Sequence, residues 1–385
     1  MKELSWLVPI TDLRAQYNTI RKEVDDVIQK VVREGKFILG PEVTALETEI
    51  AAYFGVKYAI GVASGTDALR LALLACGIGP GDEVITTPFT FVAPVETIIH
   101  CGATPVFVDI NPFTYNIDAA KIEEKITSNT RAILPVYLFG QPADMDPIIQ
   151  LAKEYNLMII EDCAQALGAE YKGKKAGSLG NVGCLSFFPS KNLGAYGDGG
   201  MVVTDDQKIA DAVDMLRKHG TLNNHHILPG FNSRLDTLQA AVLLVKLKYL
   251  DAWIDIRREK AALYNRLLCD IDGIVPAYAE NYVNHSYNYY TARITDQVVT
   301  RDSLKRHLES SGIQTKVYYA LSLHLQEAFR YLGYAKGDFP VSEQVQAQVI
   351  SLPLYPEMSD DQIGMVVDVM RIYIGSQQFE SISHL

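Results

Sequence analysis

The 385 residues carry 35 lysines and arginines against 46 aspartates and glutamates, a formal net charge of −11, with 48% hydrophobic and 21% charged residues. That balance excludes a disordered, collagenous or coiled-coil chain. It also disfavours nucleic acid or an anionic membrane as partner, since both require a basic footprint.

The opening segment MKELSWLVPITDL has a single lysine and no apolar core of signal-peptide length, so no secretory leader is expected. No run of about eighteen apolar residues occurs, so no bilayer-spanning helix is expected. Cys76, Cys101, Cys163, Cys184 and Cys269 are scattered without CxxC spacing. They read as reduced thiols of a cytoplasmic protein with no metal site.

Short β-branched runs then alternate with amphipathic segments. KYAIGVAS (57–64) precedes TDALRLALLACG, and DEVITTP (82–88) precedes FVAPVETIIHCG. TPVFVDI (104–110) leads to AAKIEEKI, and RAILPVYLF (131–139) to DPIIQLAKEYN. LMIIED (157–162), CLSFF (184–188) and GMVVTD (200–205) follow closely. Apolar runs each followed by a helical period predict βα units and a mainly parallel sheet with helices on both faces. The stretch 235–268 has neither proline nor glycine and keeps a helical period, so it predicts one long helix or two nearly continuous ones. Strand-like YYTARI (289–294), a helix over 302–311 and a helix after Pro356 complete a smaller α+β domain. The expected division is a large domain over 1–245, with an N-terminal arm over about 1–30, and a small domain over 246–385.

Ligands of open parallel sheets sit at the carboxyl ends of the strands. After the first strand, SGTDAL places Ser64, Gly65 and Thr66 where a helix start offers free N–H groups to a phosphate. The same turn also serves as a plain N-cap. GxxxxGK[ST] is absent, and GIGPGD puts Asp82 where the third glycine of GxGxxG belongs, which argues against a nicotinamide enzyme. Phe89 and Phe91 follow the second strand and either face a planar ligand or pack in the core. Glu161 and Asp162 end the fifth run, where carboxylates are costly unless paired, or are capped and solvated. In SFFPSKNLGAYGDGG, Lys191 stands among aromatics on a glycine-rich loop, as a nucleophilic amine or as a snorkelling side chain. An amine, a strand-end aspartate, a phosphate cradle and an aromatic plane are together the needs of pyridoxal 5′-phosphate.

On KFILGPEV, ASGTDAL, TPFTFVA, EDCAQALGA, SFFPSKNLGAYGDGG, GFNSRLDTLQAA, LHLQ and LPLYPEM, the chain resembles the DegT/DnrJ/EryC1/StrS sugar aminotransferases. The resemblance implies fold type I, the aspartate aminotransferase architecture, and pyridoxal 5′-phosphate as cofactor. It implies that Lys191 carries the cofactor and moves the proton, that Asp162 pairs with its ring nitrogen, and that Gln165 lies by the 3-hydroxyl. Gly65, Thr66 and Ser186 would hold the phosphate, and Phe91, with Phe89 as fallback, would stack on the ring. Asn232 would reach the phosphate from a second subunit, making a homodimer with shared active sites. Arg234 would hold that loop or form a surface ion pair, while His219, Tyr318 and His324 would approach cofactor loop and sugar. YYALSLHLQ lacks the prolines of the family's usual YPxPLHLQ, which loosens the transfer of substrate contacts there.

The implied reaction moves the amino group of L-glutamate to a keto group of a nucleotide-linked sugar, at C3 by the FFPSKNLG-Y-GDGG pattern. The alternatives are C4 amination, a pyridoxamine-dependent sugar dehydratase, against which Lys191 argues, and a non-catalytic cofactor-binding regulatory protein. The sequence leaves open the nucleotide, the stereochemistry and the group that holds the donor's carboxylate.

Overall fold

The computed structural model describes residues 6–383, so the first five residues of the expected N-terminal arm lie outside the described residues. In chain order come α1 (Leu13–Glu34), α2 (Pro41–Phe54), β1 (Tyr58–Val62), α3 (Gly65–Ala75), β2 (Glu83–Thr86), α4 (Ala93–His100) and β3 (Thr104–Phe107). They are followed by β4 (Thr130–Ile133), α5 (Met145–Tyr155), β5 (Met158–Asp162) and the short strands β6 (Glu170–Tyr171) and β7 (Lys174–Lys175). Next are β8 (Val182–Ser186), β9 (Gly200–Thr204), α6 (Gln207–Leu216) and the hairpin strands β10 (Thr221–Leu222) and β11 (His225–His226). The remainder is α7 (Thr237–Leu247), α8 (Leu250–Leu268), β12 (Ile274–Val275), β13 (Val283–Asn284), β14 (Tyr290–Ile294), α9 (Arg301–Ser310), α10 (Pro340–Gln348), β15 (Val349–Leu352) and α11 (Asp360–Ser383).

Among the described residues, seven strands form the main sheet in the order β1-β9-β8-β5-β4-β2-β3. Pairs from β8 through β5, β4 and β2 to β3 are parallel, while β9 runs antiparallel to both β8 and β1. The sheet is therefore mainly parallel, and the reversal at β9 follows from the loop after β8, which turns back without a crossover helix. Alternate strand residues feed opposite apolar layers. Leu185 and Val203 join Leu46, Ile148 and Leu243 from α2, α5 and α7 on one face. Cys184 and Val202 join Leu71, Ile98 and Val213 from α3, α4 and α6 on the other.

The stretch over 235–268 is two helices, α7 and α8, separated at Lys248 and Tyr249. AAKIEEKI forms two 3₁₀ turns, Ala119–Lys121 and Glu123–Lys125, rather than a helix. Helices this short are marginal, and Asp118 caps the first turn while Ile122 is drawn into the core. β12, β14 and β15 form an antiparallel sheet packed with α8, α9 and α11 around Tyr264, Leu308 and Met370, a cluster that Val8 also joins. Val345 and Val349 instead enter the layer beneath α3, so the C-terminal segment touches both bodies.

Candidate active site

A cavity of about 670 Å³ opens at the carboxyl ends of β1, β5 and β8 and is closed on its far side by residues 317–321. Ser64, Gly65, Thr66, Phe91, Asp162, Gln165, Ser186, Lys191 and Tyr318 all line it. Segments more than a hundred residues apart are thus gathered around one volume by the strand order.

At the phosphate end, Ser64 caps α3 by accepting from Asp67 N at 3.1 Å. The first amides of a helix have no intrahelical carbonyl to bond, and Gly65 and Thr66 carry two of them at the cavity wall. Gly65 is required by contact: a Cβ there would stand 2.6 Å from Ser186 Cβ and 3.0 Å from its Oγ. Gly200 is required in the same way, since a Cβ would stand 2.3 Å from the Ser64 carbonyl oxygen. Two glycines therefore let the helix start, β8 and β9 converge. Gly65→Ala is expected to weaken pyridoxal 5′-phosphate binding at least about tenfold by pushing the helix start off Ser186, the loss of one charge-assisted hydrogen bond. Equilibrium titration of the cofactor-free protein measures it; an unchanged Kd would mean that the phosphate binds elsewhere.

Asp162 ends β5 and is 5% exposed. Its Oδ1 accepts from Ala164 N at 2.9 Å. Burial pushes its pKa up to about 6, against the opposing pull of that amide and of Lys191. Gln165 is oriented from both ends: its Oε1 accepts from Phe139 N at 2.8 Å, and its Nε2 donates to Tyr319 OH at 3.2 Å. Phe139 has φ 59°, an unfavourable conformation for a bulky residue, held here by the bond to Gln165 and by burial. Glu161, next to Asp162 on β5, faces the opposite side of the strand, accepting from Tyr137 OH at 2.6 Å and from Gly177, Leu179 and Gly180 N–H groups.

Of the two phenylalanines, Phe91 is 53% exposed at the cavity, whereas Phe89 is fully buried beside Tyr115 and Tyr319. The fallback position is therefore core. Lys191 sits on a tight loop in which its own N–H donates to Phe188 O at 2.9 Å and Ala195 N donates to Phe187 O at 2.8 Å. Behind the loop, Lys246 is buried and donates to Gly194 O at 2.7 Å, with Nζ 4.4 Å from the Tyr196 ring centre. Burial lowers its pKa to about 8, with Glu357 opposing. Lys246 was not singled out in the sequence, although a lysine within the apolar run TLQAAVLLVKL was the available signal. Tyr289, Tyr319, Ser190 and Asp198 also line the cavity without having been anticipated.

Four anticipated residues, Asn232, His219, Arg234 and His324, are not brought to the cavity within this chain. Asn232 is exposed on a loop bridged to Lys218, and His219 is exposed nearby with φ 59°. Arg234 forms no ion pair among the described residues, and its Nε is buried without a partner. The loop is held by main-chain bonds, Phe231 N donating to Leu216 O at 2.8 Å and Ser233 N to Arg217 O at 3.1 Å, while the Arg217 guanidinium anchors that segment by donating to Gly61 O and Glu47, each at 2.6 Å, and to Asp214. His324 is buried away from the cavity, its Nε2 3.1 Å from Glu343 Oε1 and its ring edge-on to Phe339. The carboxylate and the aromatic hold it there, its Nδ1 is buried without a partner among the described residues, and its neighbours Leu323 and Gln326 reach the cavity.

The donor set fits pyridoxal 5′-phosphate. A glycine cradle that a Cβ would fill lies at a helix N-terminus, a buried carboxylate and an amine share the cavity, and an aromatic ring stands at its wall. Among the described residues no cluster of histidine, cysteine or carboxylate groups could hold a metal ion, and no helix is long and apolar enough to cross a membrane.

The model of the DegT/DnrJ/EryC1/StrS aminotransferase family matches residues 18–371. The chain is 47% identical to a Geobacillus stearothermophilus protein named pleiotropic regulatory protein, over 94% of this chain and 97% of the other. It is 44% identical to a UDP-2-acetamido-2-deoxy-3-oxo-D-glucuronate aminotransferase of Pseudomonas aeruginosa, over 94% and 98%. Among solved structures it is similar to Streptomyces venezuelae DesV in complex with a ketimine intermediate, with TM-score 0.92 and 41% identity, covering 95% of this chain and 98% of that one.

Proposed function

The chain belongs to the DegT/DnrJ/EryC1/StrS aminotransferase family, and from that premise we propose that it transfers the amino group of L-glutamate to the C3 keto group of a nucleotide-linked sugar. The observation that carries this reading is the convergence of Lys191, Asp162, Gln165 and Phe91 on one cavity beside the glycine cradle. The relative named as acting on a 3-oxo sugar supports the C3 position.

Pyridoxal 5′-phosphate, when bound, supplies an aldehyde that takes up the amine and a ring that accepts the electrons released at the substrate carbon. The chain's own residues do the rest. Gly65 and Thr66 N–H groups with Ser186 Oγ would hold the phosphate. Phe91 would cover one face of the ring, and Asp162 would keep the ring nitrogen protonated. Gln165, locked by Phe139, would orient the 3-hydroxyl. Lys191 Nζ would hold the cofactor between turnovers and carry the proton to and from the substrate carbon. Tyr318 and Tyr319 close the far side of the cavity and reduce water access there.

We further propose a homodimer working in the cytoplasm, in which exposed Asn232 completes the neighbour's phosphate site. Mixing Lys191→Ala and Asn232→Ala chains tests it. With shared sites, each mixed dimer holds one intact site and activity returns to about a quarter of the parent level; with private sites the mixture stays as inactive as its components.

The function itself is tested by the visible spectrum of the purified protein before and after L-glutamate. A yellow band that collapses with release of 2-oxoglutarate, then returns on adding a 3-keto sugar nucleotide, supports the reading. The name of the Geobacillus relative favours a second, regulatory reading. A band that no amino acid moves would support that one instead.

A further inference from the structure

Beside the main cavity lies a recess of about 30 Å³ lined by Thr11, Ser190, Arg257, Asn288, Tyr289 and Tyr318. Ser190, Tyr289 and Tyr318 line both volumes, so the recess adjoins the cavity next to the residue that precedes Lys191. It is far too small for a sugar ring and of the size of a single carboxylate group or water.

Its polar lining is incomplete. Asn288 is 3% exposed, yet among the described residues neither its amide nitrogen nor its amide oxygen has a hydrogen-bond partner. Buried amides are bonded in nearly all native structures, and an orphan pair calls for a missing group. Arg257 is 5% exposed. Its Nη1 donates to the main-chain carbonyls of Leu354 at 2.9 Å and Tyr287 at 3.3 Å. No carboxylate lies within ion-pair distance of it among the described residues; Glu357 acts on it only through space, and Glu357 Oε1 is itself unpartnered. A buried guanidinium without an anion is costly unless one arrives with the substrate.

We propose that this recess receives the α-carboxylate of the amino donor, with Asn288 and Arg257 as its ligands. The assignment rests on the aminotransferase reading above and supplies the donor ligand that the sequence left open. An amino acid bears nitrogen and carboxylate on one carbon, so a nitrogen placed at Lys191 brings the carboxylate to the Ser190 side of the cavity. The carboxylate offers two oxygen acceptors at short spacing, one for the orphan Nδ2 of Asn288 and one for the guanidinium of Arg257. The sugar has no carboxylate on the carbon that bears its nitrogen, so the recess serves one half of the reaction only.

The experiment compares the parent with Asn288→Ala and the isosteric Asn288→Asp, all loaded with cofactor. Calorimetric binding of α-methyl-L-glutamate, which keeps carboxylate and amine but lacks the α-proton, reads the recess without turnover. Both variants are expected to raise its Kd roughly tenfold to hundredfold, with the aspartate worse because it repels the carboxylate. The half-reaction with the amino-sugar product should change less than twofold, and melting temperatures should stay within a few degrees. An unchanged Kd would mean the recess holds only water, and equal losses in both half-reactions would mean Asn288 merely shapes the cavity; either overturns the assignment. A parent that binds no amino acid would overturn the aminotransferase reading together with it, whereas a binding parent with indifferent variants overturns the recess alone.

Discussion

Lys191→Ala protein is expected to fold, to bind pyridoxal 5′-phosphate without a covalent link, and to turn over at least about 10⁴-fold more slowly than the parent. Folding survives because the Lys191 side chain is partly exposed and the loop is held by main-chain bonds at Phe187, Phe188 and Ala195 and by Lys246 beneath Gly194. Turnover fails because Lys191 is the sole lysine lining the cavity among the described residues, so no other side-chain amine of theirs can anchor the aldehyde or carry the α-proton there. Borohydride reduction followed by mass measurement should fix the cofactor to the parent and not to the variant. Solvent deuterium should enter the α-position of glutamate only with the parent. A small primary amine added to the variant should restore part of the rate. Turnover within tenfold of the parent would remove Lys191 from the chemistry.

Asp162→Asn is expected to stabilise the cofactor-free protein at pH 7.5 while cutting transamination by about 10³-fold. A carboxyl whose pKa rises from 3.8 to about 6 on folding favours the folded state in its protonated form. That contribution is complete below about pH 3.8 and is lost as the pH climbs through about 6. At pH 7.5 the buried, ionised group therefore opposes folding by roughly 3 kcal/mol relative to a neutral one. Asparagine removes the charge and its Oδ1 can still accept from Ala164 N. The melting temperature of the cofactor-free variant should exceed the parent's by several degrees at pH 7.5, and the gap should narrow to about half by pH 5 and close towards pH 3.8. Parent cofactor affinity should weaken as the pH falls below about 6, because the protonated carboxyl no longer attracts a cationic ring nitrogen; the variant should lack this dependence. A variant less stable than the parent at pH 7.5 would show that the ionised carboxylate is satisfied in the folded chain without the cofactor. The site thus holds a charge at the expense of stability, as a pre-organised site must when its partner arrives with the ligand.

What lies within a few residues was legible in the sequence. The alternation of β-branched runs with helical periods identified the main-sheet strands and their crossovers, because period and capping are local properties. The Ser64–Gly65–Thr66 turn, the carboxylate at 162 and the lysine loop at 191 each follow an apolar run, and so mark strand ends by themselves. Helices α1, α2 and α6 were not drawn from the pattern, and AAKIEEKI read as helical although its length could not sustain more than 3₁₀ turns.

The tertiary structure decided everything that depends on which distant surfaces meet. Phe89 and Phe91 are indistinguishable by composition, yet only the second lines the cavity, since their directions depend on a wall supplied by Tyr115 and Tyr319. His324 sits in a motif beside the site and still turns to Glu343 and Phe339, because a carboxylate from α10 reaches it there. Asn288 and Arg257 carry no motif at all. They become a candidate site only when α8 and the strand approach to β14 bring two buried, under-bonded polar groups against the lysine loop. Hydrophobic periodicity is written in neighbours along the chain and can be read from it. The pairing of buried polar groups is written in neighbours across space, and only the folded chain shows which of them lack a partner.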